Sequence, residues 1–481
     1  MMISNILDFN VLLVSPKSYE DRYDQKLRPY NFYPYSVVYL VSYLKKMRIC
    51  KADFIDLVKE DREQLYRRVQ EEHFDLIGFT STSEARFATI ELIKEIKKMS
   101  PSSKIVTGGH FFSNTAKDAL KYISEIDFVV VGEGEITLAE LVHQLSNHKN
   151  QFETIDGLVY RQDGEIIKNP ARKPELDLQK LEIDYSLIQK PGYDLLLPMR
   201  NWEDDPEKKA FPMMLGRGCN NKCIFCIHRY LPYRVAKIES VIGRIQWAKQ
   251  NLNAKYFMFT DPSFCERNAF VDKLSAELIE NNYDVKWYCE GRADIPLDLL
   301  EKMRRAGCIS IDFAIESGSK RVLNALRKRL DPGQILSFAR KCQELGIRAS
   351  YFTMISLPDE RQEDFMETYR LISGLTDLGL YGSRVAPLII FPGTDLEALA
   401  IERGLMPAHF SWYDNSYRCP YGFISRREEN MPHYLEHLTE EQVIQNIEMA
   451  KRMQKKIKKR KERSRSILKE VVHKVSSLWS S

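Results

Sequence analysis

Residues 213–226 read MMLGRGCNNKCIFC and place Cys219, Cys223 and Cys226 in the spacing Cx3Cx2C. Thiolates are the protein ligands that iron–sulfur clusters use. A cluster of four irons ordinarily takes four cysteines, so three closely spaced cysteines leave one iron open to a substrate. Gly218 precedes the motif, and glycine lets the backbone wrap closely around a bulky ligand. The segment therefore predicts a [4Fe-4S] cluster with one reactive iron.

A structural zinc site is the alternative for these cysteines. Such a site prefers two CxxC-like pairs that close a tetrahedron. The sequence has no second pair, although His228 is available as a fourth ligand. The other cysteines are dispersed, which favours buried, reduced thiols over a disulfide framework. They are Cys50, Cys265, Cys289, Cys308, Cys342 and Cys419.

A series of strand and helix patterns begins at the motif and continues beyond it. The strand patterns are MMLGRGC, KYFMFTD, VKWYCEGR, ISIDFAIESG, IRASYFTM and GSRVAPLIIFPGT. Helical patterns at 234–252, 266–282 and 332–345 separate some of them. Six strand–helix units with polar residues at the strand ends predict a partial barrel.

A second alternating series precedes the motif, over residues 9–145. Its β-branched runs are FNVLLVS, ADFIDL, DLIGFT, KIVTGG and DFVVVG. Amphipathic stretches separate these runs, which is typical of a parallel, doubly wound sheet. GLVYRQDGEIIKN (157–169) then predicts a hairpin that turns at Asp163-Gly164.

The predicted fold is α/β, and the chain divides into five segments. We expect a doubly wound, Rossmann-like domain over 1–150, a hairpin and linker over 151–210, a partial (β/α)6 barrel of the TIM type over 211–395, an irregular substrate-side region over 396–437, and a helical tail over 438–481. FPGT (391–394) is interpreted as a turn.

Composition favours a folded protein without a nucleic-acid partner. Of the 481 residues 44% are hydrophobic, and a formal net charge of +4 is too small to indicate nucleic-acid binding. No signal peptide and no apolar run of spanning length is apparent, so a cytoplasmic protein is expected. The tail has a helix-start signal at Thr439.

The tail also carries the basic run KRMQKKIKKRKERSR (451–465), with an apolar helical face behind it over 467–479. This pattern is typical of a helix that lies on an anionic membrane surface. The alternative is a solvated helix that packs on its own protein.

The Cx3Cx2C loop, with the aromatic Phe225 before its last cysteine, resembles the radical S-adenosylmethionine enzymes, and the likeness extends over 211–395. The resemblance implies that S-adenosylmethionine binds the open iron. An electron from the cluster then breaks the sulfonium bond and gives a 5′-deoxyadenosyl radical.

The resemblance also implies that strand ends of the barrel touch S-adenosylmethionine or face the substrate. These positions are Asp261, Arg292, Glu316 and Ser317. An arginine suits a carboxylate, whereas glutamate and serine suit an ammonium group or hydroxyls. The alternative for Arg292 and Glu316 is a structural ion pair inside the barrel.

Four loops follow the strands of the first domain, where open parallel sheets hold their ligands. They are Ser15-Pro16, Thr80-Ser81-Thr82-Ser83, Gly108-Gly109-His110 and Gly132-Glu133-Gly134-Glu135. None has the G-x-G-x-x-G pattern, so a nicotinamide or flavin dinucleotide is not expected.

The order of these loops, the hairpin and the cysteine motif resembles the cobalamin-binding radical S-adenosylmethionine enzymes over residues 9–395. The resemblance implies cobalamin contacts at Thr80, Ser81, Ser83, Gly108, Gly109, His110, Glu133, Gly134 and Glu135. The D-x-H-x-x-G motif that supplies a lower axial histidine in other cobalamin proteins is absent. The alternatives are a domain that has lost its ligand and, for His110, a loop-packing role.

Together these resemblances imply a cobalamin-dependent methyltransferase of class B. It would act on an unactivated carbon of a small molecule or lipid and take electrons from a donor such as flavodoxin or ferredoxin. A cyclase, an oxygenating or a rearranging enzyme of the same superfamily is an alternative, and a non-catalytic cobalamin- or cluster-binding sensor is another.

Overall fold

The computed structural model describes residues 8–17, 33–189, 193–199, 202, 205, 207–228, 231–407, 409–419 and 429–454. These residues divide into two compact units. The first takes the described residues of Met1–Pro198, Arg234–Leu252 and Ile390–Pro432. The second takes those of Met199–Tyr233, Asn253–Ile389 and His433–Ser481.

The strands and helices alternate along most of the chain. The strands are β1 Asn10–Ser15, β2 Lys51–Asp56, β3 Leu76–Thr80, β4 Lys104–Gly108, β5 Phe128–Val130, β6 Leu158–Gln162, β7 Glu165–Lys168, β8 Leu197–Pro198, β9 Lys209–Met213, β10 Gly216–Arg217, β11 Arg234–Val235, β12 Tyr256–Phe259, β13 Lys286–Gly291, β14 Cys308–Glu316, β15 Arg348–Ile355 and β16 Tyr381–Pro387. The helices are α1 Tyr35–Met47, α2 Arg62–Glu71, α3 Arg86–Met99, α4 Gly109–Asn114, α5 Ala116–Tyr122, α6 Glu135–Ser146, α7 Ile238–Leu252, α8 Asn268–Glu280, α9 Leu297–Arg305, α10 Lys320–Ala325, α11 Pro332–Glu344, α12 Gln362–Asp377 and α13 Asp395–Glu402.

A seven-stranded sheet forms the centre of the first unit, in the order β2-β1-β3-β4-β5-β6-β7. Strands β1 to β5 are parallel, as the β-branched runs predicted. Along β1, Val11 and Leu13 pack on one face of the sheet with α1 and α6, and Leu12 and Val14 pack on the other with α2 and α3. Both faces are therefore covered, as in a doubly wound sheet.

The predicted hairpin is confirmed. Strands β6 and β7 pair antiparallel around Asp163 and Gly164, whose φ angles are +51° and +86°. A two-residue turn of this type needs a positive φ at both positions, which Asp-Gly tolerates. Strand β6 also pairs antiparallel with β5. The hairpin therefore extends the first sheet instead of belonging to a connecting segment over 151–210.

The prediction of an irregular region over 396–437 is wrong at its beginning, where α13 forms. The Thr394 hydroxyl accepts the Glu397 N–H at 3.2 Å, and the Glu397 carboxylate accepts the Gly393 N–H at 2.6 Å. A threonine followed three residues later by glutamate is a helix-start signal, and it is present in the sequence FPGTDLE. The remaining described residues up to 437 contain no further helix or regular strand.

A buried arginine ties this region to the first unit. The Arg86 side chain is completely buried and donates to the Ser83 carbonyl at 2.6 Å, the Trp412 carbonyl at 3.0 Å and the Asn430 carbonyl at 2.7 Å. Hydrogen bonds to a charged donor are about twice as strong as neutral ones. The described residues of 390–432 therefore pack with the N-terminal sheet.

Six parallel strands of the second unit, in the order β9-β12-β13-β14-β15-β16, belong to a curled sheet of seven strands. This confirms the predicted partial barrel. The strand before the cysteine motif begins at Lys209 and not at Met213, as the sequence pattern had indicated. It contains Pro212, a residue that usually argues against a strand inside a sheet.

The helix predicted to start at Thr439 is confirmed, since residues 440–454 are helical. The Thr439 hydroxyl accepts the Gln442 N–H at 3.2 Å, and the Gln442 side chain accepts the Thr439 N–H at 2.9 Å. The basic run beyond residue 454 and the apolar face over 467–479 lie outside the described residues, so the membrane-surface role stays a prediction. None of the helices in the described part of the chain has the length and the apolar composition of a membrane span.

Candidate functional site

The cysteine motif forms a compact loop after β9 and β10. The Cys219 N–H donates to the Leu231 carbonyl at 3.0 Å, and the Cys226 N–H donates to the Cys223 carbonyl at 3.1 Å. Cys223 is buried, and Cys219 and Cys226 are half-buried. The backbone of the loop is thus held at both ends of the motif by its own hydrogen bonds.

Gly218 makes this loop possible. Its φ of +79° is unfavourable for other residues, and a Cβ atom there would lie 2.3 Å from the Pro232 carbonyl oxygen. The loop therefore folds closely against residues 231–232 only with glycine at this position. Phe225, between the second and third cysteines, is half-buried.

Burial raises the pKa of all three motif thiols, and that of Cys226 to about 11. The nearby charges of Lys328 and Arg292 act in the opposite sense on Cys223. A bound metal ion displaces the proton of each thiol that ligates it. Burial therefore favours the protonated thiols, whereas bound iron would favour the thiolates.

A carboxylate that no sequence pattern predicted lies beside this loop. Glu266 Oε1 accepts the Asn220 N–H at 3.2 Å, and Glu266 Oε2 lies 3.8 Å from the Cys219 sulfur. The Asn221 amide donates to Glu266 Oε2 at 2.5 Å. The one signal for Glu266 in the sequence is its position shortly after strand β12.

Two strand ends of the second unit carry ion pairs. Arg292 donates to both carboxylate oxygens of Asp294, at 2.9–3.1 Å. Glu316 Oε1 lies 2.5 Å from the Lys328 Nζ, and both side chains are buried. Glu316 also has a positive φ of +58°, unusual for a residue with a side chain. Arg292 and Glu316 are thus both in ion pairs, as the alternative predicted. Each pairs with a different residue, Arg292 with Asp294 and Glu316 with Lys328.

Asp261 and Ser317 are enclosed by the fold. The Asp261 side chain is completely buried, and its Oδ1 accepts the N–H groups of Leu215 at 2.6 Å and Gly216 at 2.9 Å. The completely buried Ser317 hydroxyl lies 3.1 Å from the Thr368 hydroxyl. Asp261 therefore links the ends of β12 and β9, and Ser317 links the end of β14 to helix α12. Their contact with S-adenosylmethionine stays a prediction.

The loops after β3 and β4 in the first unit hold each other. The Ser81 N–H donates to the Gly108 carbonyl and the Phe111 N–H donates to the Ser81 carbonyl, each at 3.2 Å. Gly109 has a φ of +79°, and a Cβ atom there would lie 2.5 Å from the Thr80 hydroxyl oxygen. Glycine is therefore required where the two loops meet.

The predicted contact residues of these loops differ in their exposure. Ser81, Ser83 and Glu135 are buried, Thr80, Gly108, Gly109, Glu133 and Gly134 are half-buried, and His110 is exposed. Glu133 forms two hydrogen bonds to Arg234, at 2.6 and 2.9 Å, and the Arg234 side chain is only 5% exposed. Gly132 has a φ of +85° and open space around it. His110 is therefore the most accessible of the predicted contact residues.

Two family models match the chain: the radical SAM superfamily over residues 213–372 and the B12 binding domain over residues 28–142. The chain combines a B12-binding domain with a radical SAM domain. Both resemblances drawn from the sequence are thereby confirmed.

Curated relatives cover most of this radical SAM protein. An uncharacterized methyltransferase of Pyrococcus horikoshii is 27% identical over 379 residues, 78% of this chain and 79% of the relative. An anaerobic magnesium-protoporphyrin IX monomethyl ester cyclase of Rubrivivax gelatinosus is 25% identical over 352 residues, 71% of this chain and 62% of the relative.

Two solved structures share the fold of this radical SAM protein. The radical S-adenosylmethionine methyltransferase TsrM of Kitasatospora setae, solved with cobalamin and a [4Fe-4S] cluster, matches with a TM-score of 0.71 and 16% identity, over 92% of this chain and 90% of that one. The cobalamin-dependent radical enzyme OxsB matches with a TM-score of 0.69 and 16% identity, over 92% of this chain and 65% of that one.

The cofactors of the radical SAM protein are a [4Fe-4S] cluster, S-adenosylmethionine and cobalamin. The residues fit them chemically. Three thiols on one loop are the ligands expected for a cluster with one open iron, and Gly218 lets that loop fold closely. At the edge of the first sheet, a Cβ atom at Gly132 would meet no atom within 4 Å and His110 is exposed, so this edge is open to a ligand.

Asp261→Asn is expected to lower the free energy of unfolding of the second unit by about 2 kcal/mol. The amide keeps the shape of the side chain, but the two backbone N–H groups then bond to a neutral acceptor, which is weaker. Chemical denaturation checks this, with the exposed Asp272→Asn on α8 as the control. Equal unfolding midpoints for both variants would contradict the structural role of Asp261.

Glu360→Gln is expected to change how stability depends on pH. Burial raises the pKa of Glu360 to about 8, so the folded chain binds this proton more tightly than the unfolded chain does. Stability is therefore greatest below the unfolded pKa of about 4.3 and decreases up to pH 8. Glutamine mimics the protonated acid. The free energy of unfolding of the variant, relative to that of the wild type, should therefore increase by about 2–3 kcal/mol when the pH is raised from 5.5 to 8. A difference in unfolding midpoint that is the same at both pH values would refute this.

Proposed function

We propose that this cobalamin-dependent radical SAM enzyme is a methyltransferase that acts on an unactivated carbon of a small molecule or lipid. One observation carries the proposal. A chain with both a B12-binding domain and the Cx3Cx2C loop matches a relative named as a methyltransferase over 79% of that relative's length. A carbon without an acidic proton resists nucleophilic methylation, and a radical route avoids the need for a carbanion.

The balance of atoms and electrons fixes the stoichiometry of such a methyl transfer. One S-adenosylmethionine gives up its methyl group and becomes S-adenosylhomocysteine. A second is cleaved to methionine and 5′-deoxyadenosine, which carries away the hydrogen of the substrate carbon. Two electrons enter per turnover, and we assign their supply to a small reductant of the flavodoxin or ferredoxin class. When bound, the cluster supplies the electron for cleavage and cobalamin carries the methyl group.

The chain's own residues would bind and orient these groups. We propose Cys219, Cys223 and Cys226 as the cluster ligands. Arg292 is the proposed partner of the S-adenosylmethionine carboxylate. Within the described part of the chain its Nη1 makes no hydrogen bond, while its Nε and Nη2 are held by Asp294 and a backbone carbonyl. A guanidinium held in this way presents a fixed donor to an anion.

The edge of the first sheet at which β3 and β4 end is proposed to hold cobalamin. Thr80, Gly108 and Gly109 lie at the ends of β3 and β4, and His110 is exposed in the first turn of α4. Ser81 and Ser83 are buried and would support the loop from behind. Because Glu133 is bonded to Arg234, the proposed role of the loop Gly132–Glu135 rests on its glycine backbone.

The test uses S-adenosylmethionine with a deuterated methyl group and the full chain, reconstituted anaerobically with iron, sulfide and cobalamin. Reduced enzyme is expected to form S-adenosylhomocysteine and labelled cobalamin without substrate. With small-molecule and lipid extracts, a product that carries three deuterons should appear, together with 5′-deoxyadenosine. The Cys223→Ala variant, which should lack the cluster, is the control. Formation of 5′-deoxyadenosine without any transfer of label would exclude methyl transfer.

A cyclase is the second candidate, because anaerobic magnesium-protoporphyrin IX monomethyl ester cyclases are 24–25% identical to this chain. Such an enzyme would consume S-adenosylmethionine only by cleavage. The labelling experiment separates the two candidates, since a cyclase forms no S-adenosylhomocysteine and leaves its product unlabelled.

A further inference from the structure

Glu266 reaches the cysteine loop with both oxygens of its carboxylate. It ends a 3-10 turn, Phe264–Glu266, that follows strand β12. Oε1 accepts the backbone N–H of Asn220 at 3.2 Å, and Oε2 accepts the side-chain amide of Asn221 at 2.5 Å. The same amide nitrogen of Asn221 lies 3.5 Å from the Cys219 sulfur. One carboxylate thus fixes two successive residues beside the first cysteine of the motif.

The loop has a second support on the other side of Asn220. Its side-chain oxygen accepts the Tyr233 N–H at 3.1 Å, and the Cys219 N–H donates to the Leu231 carbonyl at 3.0 Å. These bonds hold the backbone of the loop. The direction of the Asn221 side chain, by contrast, is fixed by Glu266 Oε2.

The Asn221 amide and the Glu266 carboxylate, which both lie beside Cys219, would shift the reduction potential of a cluster in opposite directions. An amide N–H directed at a cysteine sulfur stabilises the added electron, whereas a carboxylate at the same corner repels it. The Oε2 atom of Glu266 lies 3.8 Å from the Cys219 sulfur, so its charge acts at close range. A cluster that is harder to reduce is a stronger reductant, and cleavage of a sulfonium bond needs a strong reductant.

We propose that Glu266 is a positioning residue for the iron–sulfur cluster. It directs the Asn221 amide at Cys219, and its negative charge keeps the reduction potential of the cluster low. The inference rests on the proposed assignment of Cys219 as a cluster ligand. No step of it requires Glu266 to touch S-adenosylmethionine or the substrate.

The experiment measures the midpoint potential of the cluster by redox titration followed by electron paramagnetic resonance. It uses the full chain, reconstituted anaerobically, without S-adenosylmethionine. Glu266→Gln, which removes the charge, should have a more positive midpoint potential than the wild type. Glu266→Asp keeps the charge and should stay near the wild-type potential. Glu280→Gln makes the same charge change at an exposed position on α8 and should leave the potential unchanged.

Glu266→Gln with a full complement of iron and the wild-type potential would overturn the proposal. If this variant does not hold a cluster, Asn221→Ala tests the same network. It keeps the carboxylate and removes the amide donor, so its potential should fall below that of the wild type, and an unchanged potential would overturn the proposal. Loss of the cluster from both variants, with normal loading of Glu280→Gln, would support the positioning role.

These outcomes differ from a failure of the proposed function. If the wild-type chain binds no iron–sulfur cluster, the assignment of the cysteines fails, and with it the radical mechanism. If the wild type holds a cluster that cleaves S-adenosylmethionine but Glu266→Gln is indistinguishable from it, only the role of Glu266 is refuted.

Discussion

Replacing Cys223 with alanine is expected to abolish cluster binding and, with it, the cleavage of S-adenosylmethionine. Cys223 is the buried member of the three cysteines and lies between the other two in the motif. Two thiolates are too few to hold a four-iron cluster that already lacks its fourth cysteine. Iron and sulfide content and the visible absorbance of the cluster should fall to background after anaerobic reconstitution, and 5′-deoxyadenosine should not form.

The same variant should keep its fold and its cobalamin. The proposed cobalamin loops belong to the first unit, which does not include Cys223. Cys342→Ala is the matched control, because Cys342 is a completely buried thiol of the second unit on helix α11. It should hold the cluster like the wild type. A Cys223→Ala variant that retains iron, or a wild type that binds one zinc ion and no iron, would contradict the assignment and favour the zinc alternative.

The features that the sequence predicted well are those encoded in neighbouring residues. Strands β1 to β5 appear in the sequence as short β-branched runs, because both faces of each strand are buried. The cysteine motif, the Asp163-Gly164 turn and the helix start at Thr439 are each complete within a few residues. Local chemistry decides such features, so one sequence is enough to find them.

The features that the sequence missed depend on residues far apart in the chain. Arg234 lies 101 positions beyond Glu133 in the chain and forms two hydrogen bonds to it, which no sequence pattern predicted. Glu266 lies 47 positions from Cys219 and is adjacent to it in the fold. No pattern of neighbouring residues predicts contacts between positions so far apart in the chain. The start of β9 was also missed, because Pro212 lies inside that strand although proline usually argues against a strand in a sheet.

Lys328→Met is expected to lower the free energy of unfolding of the second unit by about 3–5 kcal/mol, because it leaves the Glu316 carboxylate buried without its cation. The side chains of Lys328 and Glu316 are only 5% and 6% exposed, and their charged atoms lie 2.5 Å apart. Glu316→Gln should destabilise the unit comparably, since it leaves the lysine charge buried. Denaturant titration of the three proteins measures both effects.

The double variant Glu316→Gln/Lys328→Met decides what the pair does. It removes both charges together, so it should recover most of the stability that either single variant loses, with a coupling between the two changes of more than about 3 kcal/mol. Calorimetric titration with S-adenosylmethionine then tests the contact implied by the family resemblance. Because the Glu316 carboxylate is buried against Lys328, the reconstituted double variant should bind S-adenosylmethionine like the wild type. A stable double variant that no longer binds it would show that Glu316 contacts the cofactor directly, and that the buried pair must open to receive it.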